Sequence, residues 1–368
     1  MTTAAATYEI AAGGPIHRFE RVIRLTRGAE QDWLRRAVAI GALVHLPLLL
    51  FAVGTRLFTG AWPFVVQELS THARALVAIP LLLFAQRLVD DRARGFGEYL
   101  ITSGIAQPVE AAYHATVARS TRLRDSLITE IALVAVTIVS LFASGTYLGG
   151  RELVTWASLP AIVVFRFLLF HWLWRWVLWI GFLWRISRLP LALRSTHPDR
   201  LAGLGPALGP SYAFAAVVAG CAAMISGGWI DQMLYAGRPV STFYDVAVTF
   251  VVIAVIVAYA PACVFIGVLY RVRKSGLVHY GSLAQRYVAA FDTRWVDARG
   301  DAALGAADIS GLADLGGTYS VIPETRVLPG SRRLLRVIVA AALVPMLPLA
   351  MIAVGFVSLL EQLGDMLF

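Results

Sequence analysis

The sequence predicts an all-α membrane protein, a bundle of about seven transmembrane helices. The first observation is composition, since 58% of the 368 residues are hydrophobic and 15% are charged, whereas soluble domains carry about 25% charged residues. The second is a series of apolar runs, each long enough to cross the roughly 30 Å of a hydrocarbon core as a helix. The third is an alternating distribution of basic residues. Residues 1–368 are therefore expected to form a single polytopic membrane domain.

Seven apolar runs define the predicted spans. Their bounds are Val38–Phe58, Ala73–Val89, Leu127–Leu148, Trp156–Trp184, Pro210–Met233, Val246–Val272 and Leu335–Leu360. The second run is the shortest, and whether it fully crosses the bilayer stays open. The fifth run is rich in Ala and Gly, which predicts a tightly packed central helix because small residues let helix backbones approach closely.

The distribution of Lys and Arg predicts the orientation. The N-terminal tail and the second, fourth and sixth interhelical segments carry six, six, four and ten basic residues, whereas the three alternate segments carry two, one and one. Cytoplasmic segments carry such an excess, so we predict the N-terminus inside and the C-terminus outside. The net charge of +9 is thus explained by topology, and no nucleic-acid partner is expected because the basic residues are not gathered beside base-reading groups.

Two polar segments on the predicted cytoplasmic side contain amphipathic stretches. In the basic tail, residues 1–36, apolar side chains from Pro15 to Arg36 recur on one helical face opposite arginines, which predicts a helix on the anionic membrane surface. In the connector, residues 273–334, an apolar stripe from Leu277 to Trp295 predicts a second such helix, and Gly300 to Ser331 is typical of an irregular segment. The expected partners are the bilayer and its anionic headgroups; partner-protein binding and a homo-oligomer stay open.

The fourth predicted span contains the most unusual polar residues. Arg166, His171 and Arg175 lie deep within an apolar run rich in Trp and Phe. Ionisable side chains in a span are costly, so they face the protein interior, a partner or a watery cavity. His171 and Arg175 share a helical face. By depth, Glu130 of the third span is the expected partner of Arg175, and Asp231 of the fifth span is the expected partner of Arg166.

These ionisable residues allow two interpretations. They could form interhelical salt bridges that serve only to hold the bundle together. Alternatively, Arg166, His171, Arg175 and Glu130 could line a substrate or ion path, because the planar donors of arginine suit phosphate and carboxylate groups.

A second candidate site lies in the predicted cytoplasmic turn between the fourth and fifth spans. His197, Asp199 and Arg200 fall within four residues and could perform acid–base or phosphate chemistry at the membrane surface. The turn has no metal-ligand spacing and no nucleophile beside the base. The alternative is a structural turn, in which Pro198 and the following glycines set the backbone and the side chains of His197 and Asp199 are replaceable.

The same turn carries a resemblance. The motif His-Pro-Asp-Arg at 197–200 with Gly-Leu-Gly at 203–205, together with Asp-Ile-Ser-Gly-Leu-Ala-Asp-Leu at 308–315, resembles a family of uncharacterised bacterial multi-pass inner-membrane proteins. The resemblance covers mainly the C-terminal half. It implies a location in the bacterial cytoplasmic (inner) membrane and carries no known activity.

No catalytic residue, metal site or cofactor is predicted. The sequence has no Gly-rich phosphate loop, no paired histidines for zinc and no Gly-x-Ser-x-Gly elbow. The favoured function is a channel or secondary transporter for a small solute or ion. The alternatives are a non-catalytic membrane scaffold or subunit of an envelope complex, and a membrane-embedded enzyme acting on lipid headgroups.

Overall fold

The structure, a computed structural model, describes residues 8–11, 13–22, 32–144, 152–296 and 307–353. Within these ranges the regular structure is helical, with no β-strand. Six of the described helices are long and apolar enough to cross a membrane: Asp32–Thr59, Leu69–Thr102, Trp156–Ser187, Gly205–Ala236, Val240–Cys263 and Arg332–Ile352. A seventh span exists if Gln107–Arg124 and Leu127–Ala143, which meet at 43°, cross as one unit. The predicted all-α, multi-pass fold is confirmed.

The α-helices are numbered in chain order. They are α1 Gly14–Val22, α2 Asp32–Thr59, α3 Leu69–His72, α4 Ile79–Thr102, α5 Glu110–Arg124, α6 Leu127–Ala143, α7 Glu152–Ser187, α8 Gly209–Ala213, α9 Ala215–Ala236, α10 Tyr244–Cys263, α11 Ile266–Phe291, α12 Ala307–Val321, α13 Arg332–Leu343 and α14 Leu347–Ala353. A π-helical stretch, Ala73–Ala78, joins α3 to α4 within the second span.

The second span is much longer than the predicted Ala73–Val89. Its helix continues for three to four turns beyond Val89, through a polar stretch that ends at Thr102. The apolar side chains of Ala93, Phe96 and Leu100 are buried in this extension. The apolar run therefore ends where the polar residues begin, but the helix continues because it packs against neighbouring helices.

The third predicted span, Leu127–Leu148, begins as expected at α6. The described part of that helix ends at Ala143, and residues 145–150 lie outside the described ranges. Among the described elements α6 packs mainly against α7, with a smaller contact to α1. Large apolar side chains on its other face are exposed, such as Ile131 and Val139. The α6–α7 contact is therefore at the rim of the bundle.

The connector contains a helix where the sequence predicts an irregular segment from Gly300 to Ser331. Helix α12 runs from Ala307 to Val321 and packs along α11 as a helical hairpin. A side chain at Gly311 would overlap the Tyr287 hydroxyl, and Gly281 lies against the Tyr319 ring. These glycines therefore allow α11 and α12 to approach each other closely, and they do not break either helix.

Helix α9 is at the centre of the bundle, as its small residues predict. It has the largest buried fraction of the six spans. A Cβ added at Gly227 would lie 3.0 Å from the Ser70 Cα, and one added at Gly220 would lie 3.2 Å from the Ala78 carbonyl oxygen. The backbones of α9 and the second span are thus too close for larger residues.

Tryptophans of α7 point into the bundle and satisfy backbone carbonyls. Pro261 has no N–H, so the carbonyl of Val257, four residues earlier in α10, lacks its helical donor. The indole Nε1 of Trp176 donates to that carbonyl at 2.8 Å. Trp172 donates to the Leu82 carbonyl of α4 at 3.0 Å. Both rings are almost fully buried, so these residues pack in the interior and do not face lipid.

Candidate functional site

Polar residues line the contact between α6 and α7, and we call this line the polar seam. It consists of Glu130, Thr137 and Ser140 on α6 with Arg166, His171 and Arg175 on α7. We call the end of the bundle marked by Arg36, Arg124 and Arg185 the basic end. Glu130, His171 and Arg175 lie toward that end, and Ser140 with Arg166 lies toward the other.

Glu130 and His171 form the central pair of the seam. His171 Nε2 is 3.7 Å from Glu130 Oε1, and the two side chains are 9% and 8% exposed. The second carboxylate oxygen of Glu130 has no hydrogen-bond partner among the described residues. The direct partner of Glu130 is therefore His171, and the predicted contact with Arg175 is an interaction at longer range.

Arg175 is buried between charges of both signs. Its side chain is 5% exposed, and it interacts electrostatically with the carboxylates of Asp90 and Glu130 and with the guanidinium groups of Arg36 and Arg124. Its Nε has no hydrogen-bond partner among the described residues. Two carboxylates on two neighbouring helices thus offset the charge of one buried arginine.

Arg36 at the start of α2 ties this cluster to the N-terminal helix. It donates to Gln86 Oε1 at 2.7 Å and to Glu20 Oε1 at 2.8 Å. Burial raises the pKa of Glu20, but a hydrogen bond from His17 and the charge of Arg36 outweigh burial, so that the pKa is lowered overall. Glu20 is therefore held as an anion against the basic end.

Arg166 lies further along the seam. Its Nη1 donates to the Ser140 carbonyl at 2.6 Å. The expected partner, Asp231, instead accepts the backbone N–H groups of Leu69 and Ser70 at 2.7 and 2.9 Å. Asp231 therefore caps the exposed N-terminus of α3. Its carboxylate accepts hydrogen bonds from backbone N–H groups that have no partner within the helix.

A second arginine accompanies Arg166 at this level. Arg74 lies in the π-helical stretch of the second span, and its charge interacts with Arg166, Glu68 and Asp231. π-Helical turns inside longer helices often mark functional positions. The sequence placed Arg74 next to a loop because the span was predicted to begin at Ala73.

The turn at 197–205 is organised around one carboxylate. Asp199 Oδ1 accepts the N–H groups of Leu201 at 2.8 Å and Gly203 at 3.1 Å, and Oδ2 accepts that of Gly205 at 2.9 Å. His197 Nδ1 lies 2.8 Å from Oδ1. Burial raises the pKa of Asp199, but the backbone hydrogen bonds and His197 outweigh it and lower the pKa.

These hydrogen bonds hold a strained backbone. Arg200 and Ala202 have φ of 57° and 56°, and Gly203 has φ of 91°, a region that favours glycine. His197 Nε2 is 3.5 Å from the Tyr99 hydroxyl, and Arg200 forms an exposed ion pair with Glu324 at 2.9 Å. Because the oxygens of Asp199 are occupied by the backbone, the geometry supports a structural turn. It does not support the expectation that Asp199 is replaceable.

The sequence singled out four seam residues and missed others that complete the site. Thr137 and Ser140 follow Glu130 at seven and ten residues, a spacing that keeps them near one face of α6 and that could have revealed them. Nothing in the sequence marked Asp90 as a buried residue of the site, because it lies just beyond the predicted end of its span. No cluster of three or more His, Cys, Asp or Glu suited to a metal occurs among the described residues.

Comparison of the chain with protein-family models, with curated proteins and with solved structures finds no match.

Proposed function

We propose that this multi-pass membrane protein is a channel or secondary transporter for a small solute or ion, and that its path follows the polar seam. The observation that carries the proposal is the buried cluster of Glu130, His171 and Arg175 with Asp90. Ionisable groups inside a membrane bundle are costly to keep, and they are typical of ion pathways and proton relays.

Two atoms of the cluster support a wet site. Glu130 Oε2 and Arg175 Nε are both buried without a hydrogen-bond partner among the described residues. Buried polar groups are nearly always hydrogen-bonded, either to protein or to ordered water. Water or an ion entering the seam would satisfy both atoms, whereas a dry seam would leave them unpaired.

The seam has a length suited to a path. Glu130 and Ser140 are ten residues apart on α6, which is about 15 Å along a helix. That distance is about half of a hydrocarbon core of roughly 30 Å. Arg166 contacts Ser140, so the polar seam continues beyond the pair of Glu130 and His171.

The resemblance and the charges together suggest a location and an orientation. We propose that the protein lies in the bacterial inner membrane, as the resemblance of the motif at 197–205 implies, with its basic end in the cytoplasm, because arginines gather at that end of the bundle. Anionic headgroups are the partners that such a surface attracts. The exposed apolar face of α6 contacts lipid or a second copy of the chain.

Flux through reconstituted protein tests the proposal. Purified protein in liposomes containing the pH-sensitive dye pyranine would be challenged with proton, potassium, chloride and phosphate gradients. We expect flux of at least one of these ions, and we expect Glu130→Gln to reduce it about tenfold or more because the central charge is lost. Asp245→Asn is the matched control, since Asp245 is exposed in the first turn of α10.

Water access tests the path without knowledge of the substrate. In a chain whose two free cysteines, Cys221 and Cys263, are replaced by alanine, Thr137→Cys should react with a membrane-impermeant thiol reagent. Ile138→Cys, on the exposed apolar face of α6, should not. No flux with any ion, together with a Thr137→Cys that stays unreactive from both sides of the membrane, would contradict a transport function.

A scaffold is the second candidate, and the hairpin of α11 and α12 favours it. The hairpin exposes apolar side chains such as Val278 and Leu283, which could contact a partner protein. A lipid-headgroup enzyme has less support, because the carboxylate of Asp199 is occupied by backbone amides. Normal assembly with a cellular partner that is lost on Val278→Glu, in a protein without flux, would favour the scaffold.

A further inference from the structure

Residues 8–11 are inserted into the basic end of the bundle. We call residues 8–11 and 13–22 the strap. Tyr8, Ile10 and Ala11 are 1%, 0% and 4% exposed, although residues 8–11 have no helical or strand structure. Tyr8 and Ile10 therefore belong to the hydrophobic core of the bundle.

Aromatic stacking anchors the first residue of the strap. The Tyr8 ring lies 4.7 Å from the Phe182 ring and 6.4 Å from the Trp179 ring, stacked on both. Burial raises the pKa of the Tyr8 hydroxyl, which keeps it neutral. Helix α7, which carries half of the seam, therefore also provides the pocket for the strap.

Three polar contacts fasten the strap to two other helices. Glu9 Oε1 pairs with Arg94 Nη2 of α4 at 2.8 Å, and the Glu9 carbonyl accepts a hydrogen bond from Arg124 of α5 at 2.7 Å. The Ala11 N–H donates to Asp90 Oδ1 at 2.5 Å. Asp90 is the same carboxylate that interacts with Arg175.

The strap then passes over the seam. A Cβ added at Gly14 would lie 3.1 Å from Glu130 Oε1, so the backbone at the start of α1 lies directly against the central carboxylate. Gly13 and Gly14 have φ of 129° and 90°, conformations that glycine adopts at little cost. Two consecutive glycines thus allow the chain to turn sharply between the inserted residues and α1.

The strap is less tightly packed around Glu9 and from Gly13 onward. A cavity of about 370 Å³ lies between α1 and the end of α5, lined by Gly13, Arg18, Arg124 and Asp125 among others. The Glu9–Arg94 pair is partly exposed, at 34% and 42%, so it is screened by salt. These features favour an element that can leave its position without unfolding the bundle.

We propose that the strap is an autoinhibitory plug, which closes the basic end of the polar seam when docked and opens that end when released. The inference rests on the proposed function, because a plug matters only where the seam carries a solute or ion. Release removes Ala11 from Asp90 and Gly14 from Glu130, which exposes both carboxylates at once.

Charge reversal at Glu9 tests the plug. In the chain without native cysteines, Ile10→Cys reports docking of the strap and Thr137→Cys reports water in the seam, each by its reaction with the impermeant thiol reagent from the basic side. We expect Glu9→Arg to speed both reactions roughly tenfold, since it replaces attraction between Glu9 and Arg94 with repulsion. Glu9→Arg with Arg94→Glu restores the opposite-charge pair and should return the rates toward those of the parent.

The outcomes separate the plug from the transport function. Fast labelling of Ile10→Cys in the parent chain would show that the strap is not docked and would overturn the proposal. Faster labelling of Ile10→Cys without any change at Thr137→Cys would show a strap that does not close the seam. If both positions open together and yet no chain supports ion flux, the plug stands and the transport function fails.

Discussion

Replacing Asp199 by asparagine should destabilise the protein through the backbone of its turn. The carboxylate accepts three backbone N–H groups at 2.8, 3.1 and 2.9 Å, and the asparagine amide can retain only one acceptor oxygen. If that oxygen faces Leu201 and Gly203, an NH2 group faces the N–H of Gly205, so one hydrogen bond to a charged group is lost. Such a bond contributes about 1.5–3 kcal/mol, and a loss of about 2 kcal/mol corresponds to a roughly 30-fold shift of the unfolding equilibrium.

The pH dependence gives the prediction a second test. Because the pKa of Asp199 is lowered in the folded state, its contribution is complete above the unfolded value of about 3.9 and is lost as the pH falls through the folded value. The difference between parent and Asp199→Asn should therefore shrink below about pH 4. Reversible unfolding in mixed detergent micelles, followed by tryptophan fluorescence at several pH values, measures it. Equal stability at pH 7, or a difference that persists undiminished in acid, would refute the role assigned to this carboxylate.

Three further predictions test the packing. Gly203→Ala should lower the free energy of unfolding by about 1–3 kcal/mol in the same assay, because residue 203 has a positive φ. Gly316→Ala is the control, and it should be neutral or stabilising because the space around Gly316 is open. Equal effects of the two substitutions would contradict the strained turn. Trp176→Phe should lower the free energy of unfolding by about 1–3 kcal/mol, because it leaves the buried Val257 carbonyl without a hydrogen bond. Pro261→Ala should reduce this loss, because alanine supplies the N–H that proline lacks. Strictly additive effects of the two substitutions would contradict the role assigned to the Trp176 indole. Gly227→Val should lower the yield of folded protein in size-exclusion chromatography, and an unchanged yield would show that the close approach of α9 is dispensable.

The membrane fold could be predicted because its signals are local. Apolar runs identified each span, since a helix that crosses a bilayer must satisfy its own backbone and must be apolar over most of its length. The ends were less predictable, as Thr102 shows. The second span leaves its apolar run at Val89 and continues because packing outside the run, not hydropathy, sustains it.

The site was only partly predictable because its partners come from distant parts of the chain. The spacing of His171 and Arg175 on one face is visible in the sequence, but the choice of His171 over Arg175 as the neighbour of Glu130 depends on how α6 and α7 are rotated against each other. The same limit applies to Asp231, whose charge suggested an arginine partner and which instead caps α3. The insertion of Tyr8 had no sequence signal, because the tail resembles a surface segment in composition.

The hydrogen bond from Trp176 to the carbonyl of Val257 has a consequence for biosynthesis. Alone in the bilayer, α10 would present that carbonyl to hydrocarbon, because Pro261 removes its helical donor, and an unsatisfied carbonyl in lipid is costly. The indole that satisfies it belongs to α7, which leaves the ribosome about 80 residues earlier. The order of synthesis thus places the donor in the membrane before the acceptor arrives. A rearranged chain in which α10 precedes α7 would have to insert this helix with its defect exposed, and we expect it to insert less efficiently.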